Sequence, residues 1–146
     1  MSQFSFDPFR GGDALSEYVT RYRRTELPPL EVGAPLDLFP GEPAPASFVP
    51  QVTWDNTWPF NERAGVYLIY SDSLDLLYIG QARRLGRRLY DYFGGGDTCV
   101  LRHDGWPQRP RYVINIAVPV DMPWEIAGLE AFMIRGLQPF CNVIGR

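Results

Sequence analysis

Lysine is absent from this 146-residue sequence, so arginine supplies all 14 cationic side chains and no side-chain amine titrates near neutral pH. Histidine occurs once, at His103, which excludes a multi-histidine metal site within one chain. A Ser-His-Asp arrangement would have to use that one imidazole as its base. The two cysteines, Cys99 and Cys141, stand at a spacing that fits no common metal motif. In a reducing cytosol both stay thiols, and both read as structural. No apolar run approaches the roughly 18 residues of a membrane-crossing helix. The start, Met1 to Asp7, has neither a basic stretch nor an apolar one, so a signal peptide is not expected and a cytoplasmic location is.

What remains is ordinary for a globular chain: 45% hydrophobic and 21% charged residues. The length suits one compact domain with an appendage. A net charge of −3 argues mildly against a nucleic-acid binder when taken whole. Its distribution argues differently. Arg83, Arg84, Arg87, Arg88, Arg102, Arg109 and Arg111 cluster between residues 81 and 112, opposed only by Asp91, Asp97 and Asp104. The acidic excess lies mostly before residue 64. The planar guanidinium fork suits phosphate oxygens, although a solvated helix face would use the same residues.

Leu15, Tyr18, Val19 and Tyr22 form an i, i+3, i+4, i+7 stripe, which predicts a short amphipathic helix within residues 12–25. The proline-rich stretch from Pro28 to Pro50 excludes a long helix or a central strand and reads as an extended connector. Trp54, Trp58 and Phe60 are placed to pin that connector to the core, or to stack on bases. Residues 1–60 are therefore expected to be a helix and connector, and 61–146 the main domain.

From Gly65 the pattern becomes regular. Gly65 to Tyr70 is β-branched and aromatic, Ser71-Asp72-Ser73 is a turn, and Leu76 to Ile79 is a second strand, which together predict an antiparallel hairpin. Residues 81–93 predict a helix with Leu85, Leu89 and Phe93 as its apolar edge and Gly94-Gly95-Gly96 as its stop. A loop over 97–110 leads to a strand from Tyr112 to Val118. Asp121 can cap a last helix over 123–135, with Pro123 in its first turn. The order is β-β-α-β-α, with a tail from Pro139.

Glu130 is the most informative single residue. Its helical neighbours Ile126, Ala127, Met133 and Ile134 are all apolar, and a carboxylate among them is costly unless exposed at an edge, paired or bound to a metal. Arg88 and Tyr92 are four apart, so they share a helix face with Arg84. A guanidinium beside a phenol can hold a phosphodiester. An ion pair of Arg88 with Asp91 is the structural alternative. Tyr67 and Tyr78, one on each strand of the hairpin, read equally as core residues with polar tips.

The hairpin resembles the signature of the GIY-YIG nuclease family, with Gly65-Val66-Tyr67 as the first half and Tyr78-Ile79-Gly80 as the second. The segment through Leu89 is similar to the one that follows in bacterial excision-repair nuclease domains. The resemblance covers roughly residues 62–146. It implies an α+β fold, a small central antiparallel sheet flanked by helices, with a proline-rich N-terminal extension. It also implies phosphodiester hydrolysis with Mg²⁺ or Mn²⁺, nucleic acid as the substrate class with DNA the expected one, and Glu130 as the metal ligand. On the same resemblance Arg88 would neutralise the scissile phosphate and Tyr67 would accept the proton of the attacking water. Tyr78 and Tyr92 would position water or phosphate, and Asn142, within Pro139-x-x-Asn142, would orient the site. Arg83, Arg84 and Arg87 would touch the nucleic acid backbone. The chain departs from the family at Gln81, where many relatives carry Lys. That departure keeps a second class open, a nucleic-acid- or protein-binding module without useful turnover. The arm from Phe4 to Arg24 is the candidate contact for a homodimer or protein partner.

Overall fold

The computed structural model describes residues 11–43, 52–53, 58–94 and 105–144. Its elements run α1 (Gly11–Tyr22), β1 (Glu31–Val32), β2 (Leu36–Asp37), β3 (Val52–Thr53), β4 (Gly65–Ser71), β5 (Leu76–Ala82), α2 (Leu85–Phe93), β6 (Pro110–Ala117), α3 (Glu125–Leu137) and α4 (Phe140–Ile144). The strands make one sheet in the order β3-β2-β6-β4-β5, with β1 also paired to β6. All pairings are antiparallel except β2 with β3. This is the expected small antiparallel sheet with flanking helices.

Side-chain alternation on β4 explains the layering. Val66, Leu68 and Tyr70 point to the face covered by α1 and α3, where they join Leu15, Ile79, Ile114, Leu129 and Met133. Tyr67 and Ile69 point to the other face, against Leu85, Leu89, Phe93, Leu36 and Trp58. With both faces covered, β4 is buried throughout, as its unbroken apolar run implies.

Helix α2 has only nine residues, too short to be stable alone. Leu85, Leu89 and Phe93 are fully buried, and each contributes about 1.5–3 kcal/mol on docking. The helix starts at Leu85 rather than at residue 81. Gln81 and Ala82 instead pair with Val66 and Gly65, so the sheet claims them. The first amides of α2 are taken by Arg63 O (to Leu85 N, 2.9 Å) and Asn61 O (to Gly86 N, 2.8 Å). Its stop is Gly94, at φ 78°, as the glycine run predicts; Gly95 and Gly96 lie outside the described residues.

The proline-rich segment is more than a connector. Leu30 packs in the cluster under α1 and α3, and Leu36 and Leu38 pack in the cluster under α2. β1 and β2 extend the sheet along β6, with Gly33 N bonded to Asn115 O (2.7 Å) between them. Trp58 is buried and Phe60 partly buried, while Trp54 lies outside the described residues. The α1 stripe packs on α3: Tyr18 and Tyr22 both contact the Phe132 ring, at 5.6 and 5.4 Å between centroids. Two further boundaries differ from expectation. α3 begins at Glu125 after a turn, and Trp124 rather than Asp121 precedes it, without a side-chain cap. The tail after Pro139 folds into α4.

Candidate active site

The hairpin motif is built around one phenol. Tyr67 stands opposite Gly80, and a Cβ at Gly80 would collide with the Tyr67 ring and hydroxyl. The glycine of Tyr78-Ile79-Gly80 is therefore the space that Tyr67 occupies. Gly65 has the same function towards the Ile116 carbonyl.

Helix α2 then brings Arg88 and Tyr92 to Tyr67. Arg88 Nε donates to the Tyr67 hydroxyl (3.3 Å) and its terminal nitrogen to the Tyr92 hydroxyl (3.4 Å). The Tyr67 hydroxyl donates to that of Tyr92 at 3.5 Å. The guanidinium lies 5.1 Å from the centre of the Tyr92 ring. These contacts are longer than ordinary hydrogen bonds. Tyr78 completes the aromatic group, 6.1 Å from Tyr67 and 6.3 Å from Tyr92 between centroids. The structure thus joins Tyr67, Tyr78, Arg88 and Tyr92, and turns Arg88 to the phenols.

Burial, and next the Tyr92 hydroxyl, push the Tyr67 phenol well above its usual range; Arg88 pulls the other way. Tyr67 is therefore protonated at neutral pH in the free protein. Arg88 is held more firmly in its charged state by its bond to Tyr67.

Glu130 sits on α3, across the edge of the sheet. It lies at the flank of the apolar stripe and is half-exposed, with Ala127 beside it exposed. Its Oε1 accepts from Gln81 Nε2 at 3.0 Å. Gln81 is the next residue after Gly80 on the edge strand β5. The two halves of the site therefore meet at adjacent positions of that strand, phenols and guanidinium on one face and carboxylate on the other. The buried carboxylate of α3 is a different one, Glu125, bonded to Arg23 (2.7 and 3.1 Å) and to the Tyr18 hydroxyl (2.7 Å).

Asn142 does not point at the phenols. Its side-chain amide accepts from Ile79 N (2.7 Å) and donates to Ile79 O (2.9 Å), closing the free edge of β5 as a neighbouring strand would. It thereby fixes the residue between Tyr78 and Gly80.

Arg83, Arg84 and Arg87 are exposed and line a shallow depression with Arg88, Gln81, Ala82 and Asp91. Arg84 reaches Glu62 at 3.5 Å, but both are exposed and such a pair contributes at most about 1 kcal/mol. Arg109 and Arg111 leave the basic cluster. Arg111 is buried in a two-bond pair with Asp37 (3.0 and 3.0 Å) and donates to the carbonyls of Phe39, Glu42 and Pro43. Arg109 bridges Glu42 and Asp72, whose carboxyls its hydrogen bonds hold below the usual range. Arg102 and His103, like Cys99, lie outside the described residues; Cys141 is partly buried, which raises its thiol pKa.

Residues 63–138 match the GIY-YIG catalytic domain. The chain belongs to the GIY-YIG family. That family's domains are of nuclease type, and this GIY-YIG chain is similar to two relatives named UvrABC system protein C. The one from Wolbachia pipientis subsp. Culex pipiens (strain wPip) is 31% identical over 90 residues, 58% of this chain and 14% of that protein. The one from Wolbachia sp. subsp. Drosophila simulans (strain wRi) is 28% identical over 88 residues, 57% of this chain and 13% of that protein. The chain thus spans about one-seventh of the length of these relatives.

Sequence reasoning did not find Trp106, whose indole stands 6.5 Å from Tyr78 and 6.0 Å from Tyr92 and walls the aromatic group. Its only signal was an aromatic in a loop. Among the described residues no cluster of three or more His, Cys, Asp or Glu could hold a metal. A hard divalent cation that keeps most of its water needs only one or two carboxylates, and half-exposed Glu130 fits that donor set. No helix in the described residues is long and apolar enough to cross a membrane.

Proposed function

We propose that this GIY-YIG chain is a divalent-cation-dependent endonuclease that hydrolyses phosphodiester bonds in DNA, in the cytoplasm. The observation that carries the reading is the junction of Arg88 with the Tyr67 and Tyr92 hydroxyls, at the rim of a surface lined by Arg83, Arg84 and Arg87. The three exposed arginines bind backbone phosphates. Arg88 takes the scissile phosphate and offsets the charge that builds on it. Tyr92 and Tyr78 hold phosphate or the attacking water in line. Tyr67 acts as base in its phenolate form, reached by loss of its own proton to solvent, which its burial opposes and the positive charge of Arg88 favours; the phenolate then receives the water's proton. Glu130 would hold Mg²⁺ or Mn²⁺, which when bound polarises phosphate oxygens and acidifies water. Asn142 acts through the backbone, by fixing the strand that carries Tyr78.

The test incubates the full chain with supercoiled plasmid and with single-stranded DNA, in Mg²⁺, Mn²⁺ or EDTA, beside Glu130→Gln. Cleavage that needs the cation and is lost in Glu130→Gln is the expected result. Cleavage by Glu130→Gln at the parent rate would refute the assigned site. A folded protein that binds DNA without cutting either substrate would instead favour the non-catalytic module, the reading that Gln81 in place of Lys supports. Leu15, Tyr18 and Val19 of the α1 stripe are spent in the core beside α3, whereas Tyr22 stays largely exposed at the edge of Phe132; residues 4–10 of the arm lie outside the described residues, and native mass measurement tests whether the arm contacts a second copy.

A further inference from the structure

We propose that Trp106 is a substrate-binding residue that stacks on an unpaired base next to the scissile phosphate, so that the site takes single-stranded or locally opened DNA in preference to an intact duplex. The inference rests on the nuclease reading given above and deepens it, by naming the form of DNA that the site accepts. Trp106 is partly exposed, and Gly105, Pro107 and Gln108 around it are exposed. Among the described residues its ring contacts are with Tyr78 (6.5 Å between centroids, planes at 80°) and Tyr92 (6.0 Å, 53°). Neither is a parallel stack, so neither phenol lies flat against the indole. The other described tryptophans do not stand at the phenols. Trp58 is buried against Phe93, and Trp124 lines a groove with Tyr18, Tyr22 and Arg23 on the α1 side.

The indole is set in place by its own loop. Gly105 turns the chain at φ 86°, and Pro107 steers residue 106 away from helical backbone. Immediately downstream, Gln108 Nε2 donates to Asp75 (2.9 Å) and Arg109 is clamped between Glu42 and Asp72. A pre-set aromatic side chain loses little freedom when a ligand arrives. Tyr92 links this indole to the phosphate-binding group: its ring centre lies 6.0 Å from Trp106 and 5.1 Å from the Arg88 guanidinium. A phosphate on Arg88 and a base on Trp106 can therefore belong to the same or adjoining nucleotides. Arg88 also lines the depression of Arg83, Arg84 and Arg87, which receives the neighbouring phosphates of the strand. In a duplex each base is already stacked on both sides, so reaching its face means unstacking it at an energetic cost. An unpaired base offers its face directly, and stacking on an aromatic side chain is tolerant of base identity.

The experiment measures binding of the full chain, in EDTA so that no strand is cut, to a labelled single-stranded oligodeoxynucleotide and to the duplex of the same sequence. It compares the parent with Trp106→Leu and Trp106→Phe by fluorescence anisotropy of the label, with circular dichroism as the check on folding. Trp106→Leu is expected to bind the single strand about 5–150-fold more weakly, the effect of losing one base–aromatic stack. Its duplex affinity, carried by arginine contacts to phosphate, is expected to stay within about twofold. Trp106→Phe keeps an aromatic face and is expected to bind the single strand within about threefold of the parent. Tryptophan emission gives an independent readout: the single strand should quench the parent, and that quenching should be reduced in Trp106→Phe although the strand is still bound.

If the parent binds neither form of DNA, the nuclease reading fails and this inference with it. If the parent binds DNA but Trp106→Leu weakens single strand and duplex equally, or weakens neither, the stacking role alone is overturned. Equal quenching of the parent and of Trp106→Phe by the bound strand overturns it as well, and that comparison decides by itself should Trp106→Leu fail to fold.

Discussion

Asn142 offers the sharpest quantitative test, because its contribution can be worked from two hydrogen bonds. Asn142 and Ile79 are both fully buried, and the side-chain amide satisfies both backbone groups of Ile79 at 2.7 and 2.9 Å. Asn142→Ala orphans one N–H and one C=O at the strand edge. Each orphaned buried group costs about 1–3 kcal/mol, and water entering the vacated space recovers part of it, so the variant should lose about 2–4 kcal/mol. That is a large share of the roughly 5–15 kcal/mol typical of a domain. In urea it corresponds to a midpoint lower by about 1–2 M. Asn142→Asp sharpens the test. A carboxylate can accept from Ile79 N but cannot donate to Ile79 O, whereas the protonated acid can do both. Its pKa is then raised in the folded state above the unfolded value near 4, so its stabilising contribution is present below about pH 4 and lost as pH rises through the folded value. The deficit relative to the parent should shrink on acidification. An Asn142→Ala midpoint within about 0.3 M of the parent, or an Asn142→Asp deficit that does not change with pH, would refute the role.

Four further outcomes follow from the same geometry. Arg111→Met leaves Asp37 buried without its two-bond partner and should cost about 3–5 kcal/mol in urea unfolding, much of it recovered by adding Asp37→Leu. Arg88→Ala should lower the cleavage rate constant by roughly 10²–10³ while moving the thermal midpoint little. Arg87→Ala should weaken DNA binding and reduce the slope of log affinity against log salt by about 1, with the turnover of bound DNA unchanged. Tyr18, Tyr67 and Tyr70 all have pKa values raised above 10 by burial, so the folded state keeps protons that the unfolded state releases. Stability should therefore be insensitive to these groups up to about pH 10 and fall above it; Tyr70→Phe should flatten that fall in thermal melts.

The local signals in the sequence were strong where one element settles its own fate. The apolar edge Leu85-Leu89-Phe93 and the stop at Gly94 are set by helical period and glycine backbone freedom, and both stand as read. The hairpin from Gly65 and the strand through Val113 follow from β-branched runs that need no distant partner to be recognised. Arg88 and Tyr92 come together because four residues is one helical turn, and the motif spacing placed Tyr67 within reach of them.

Tertiary structure decided whatever depended on a partner far along the chain. Period alone gave Glu130 four apolar neighbours, but which of these faces the sheet depends on how α3 docks. Docking buries Glu125 and leaves Glu130 at the flank. Glu125 is tolerated there because Arg23 meets it from 102 residues away. Arg111 looked like part of a phosphate-binding cluster until Asp37, 74 residues distant, took its guanidinium. Gln81 reads as the start of a helix until β4 claims it for the sheet, and only then does it reach Glu130. The sequence by itself determined the elements and the order of the motif residues, because these rest on local periodicity and steric fit. Which charges are buried and paired, and which stay at the surface, was decided by the docking of helices on the sheet, because desolvation is governed by neighbours in space.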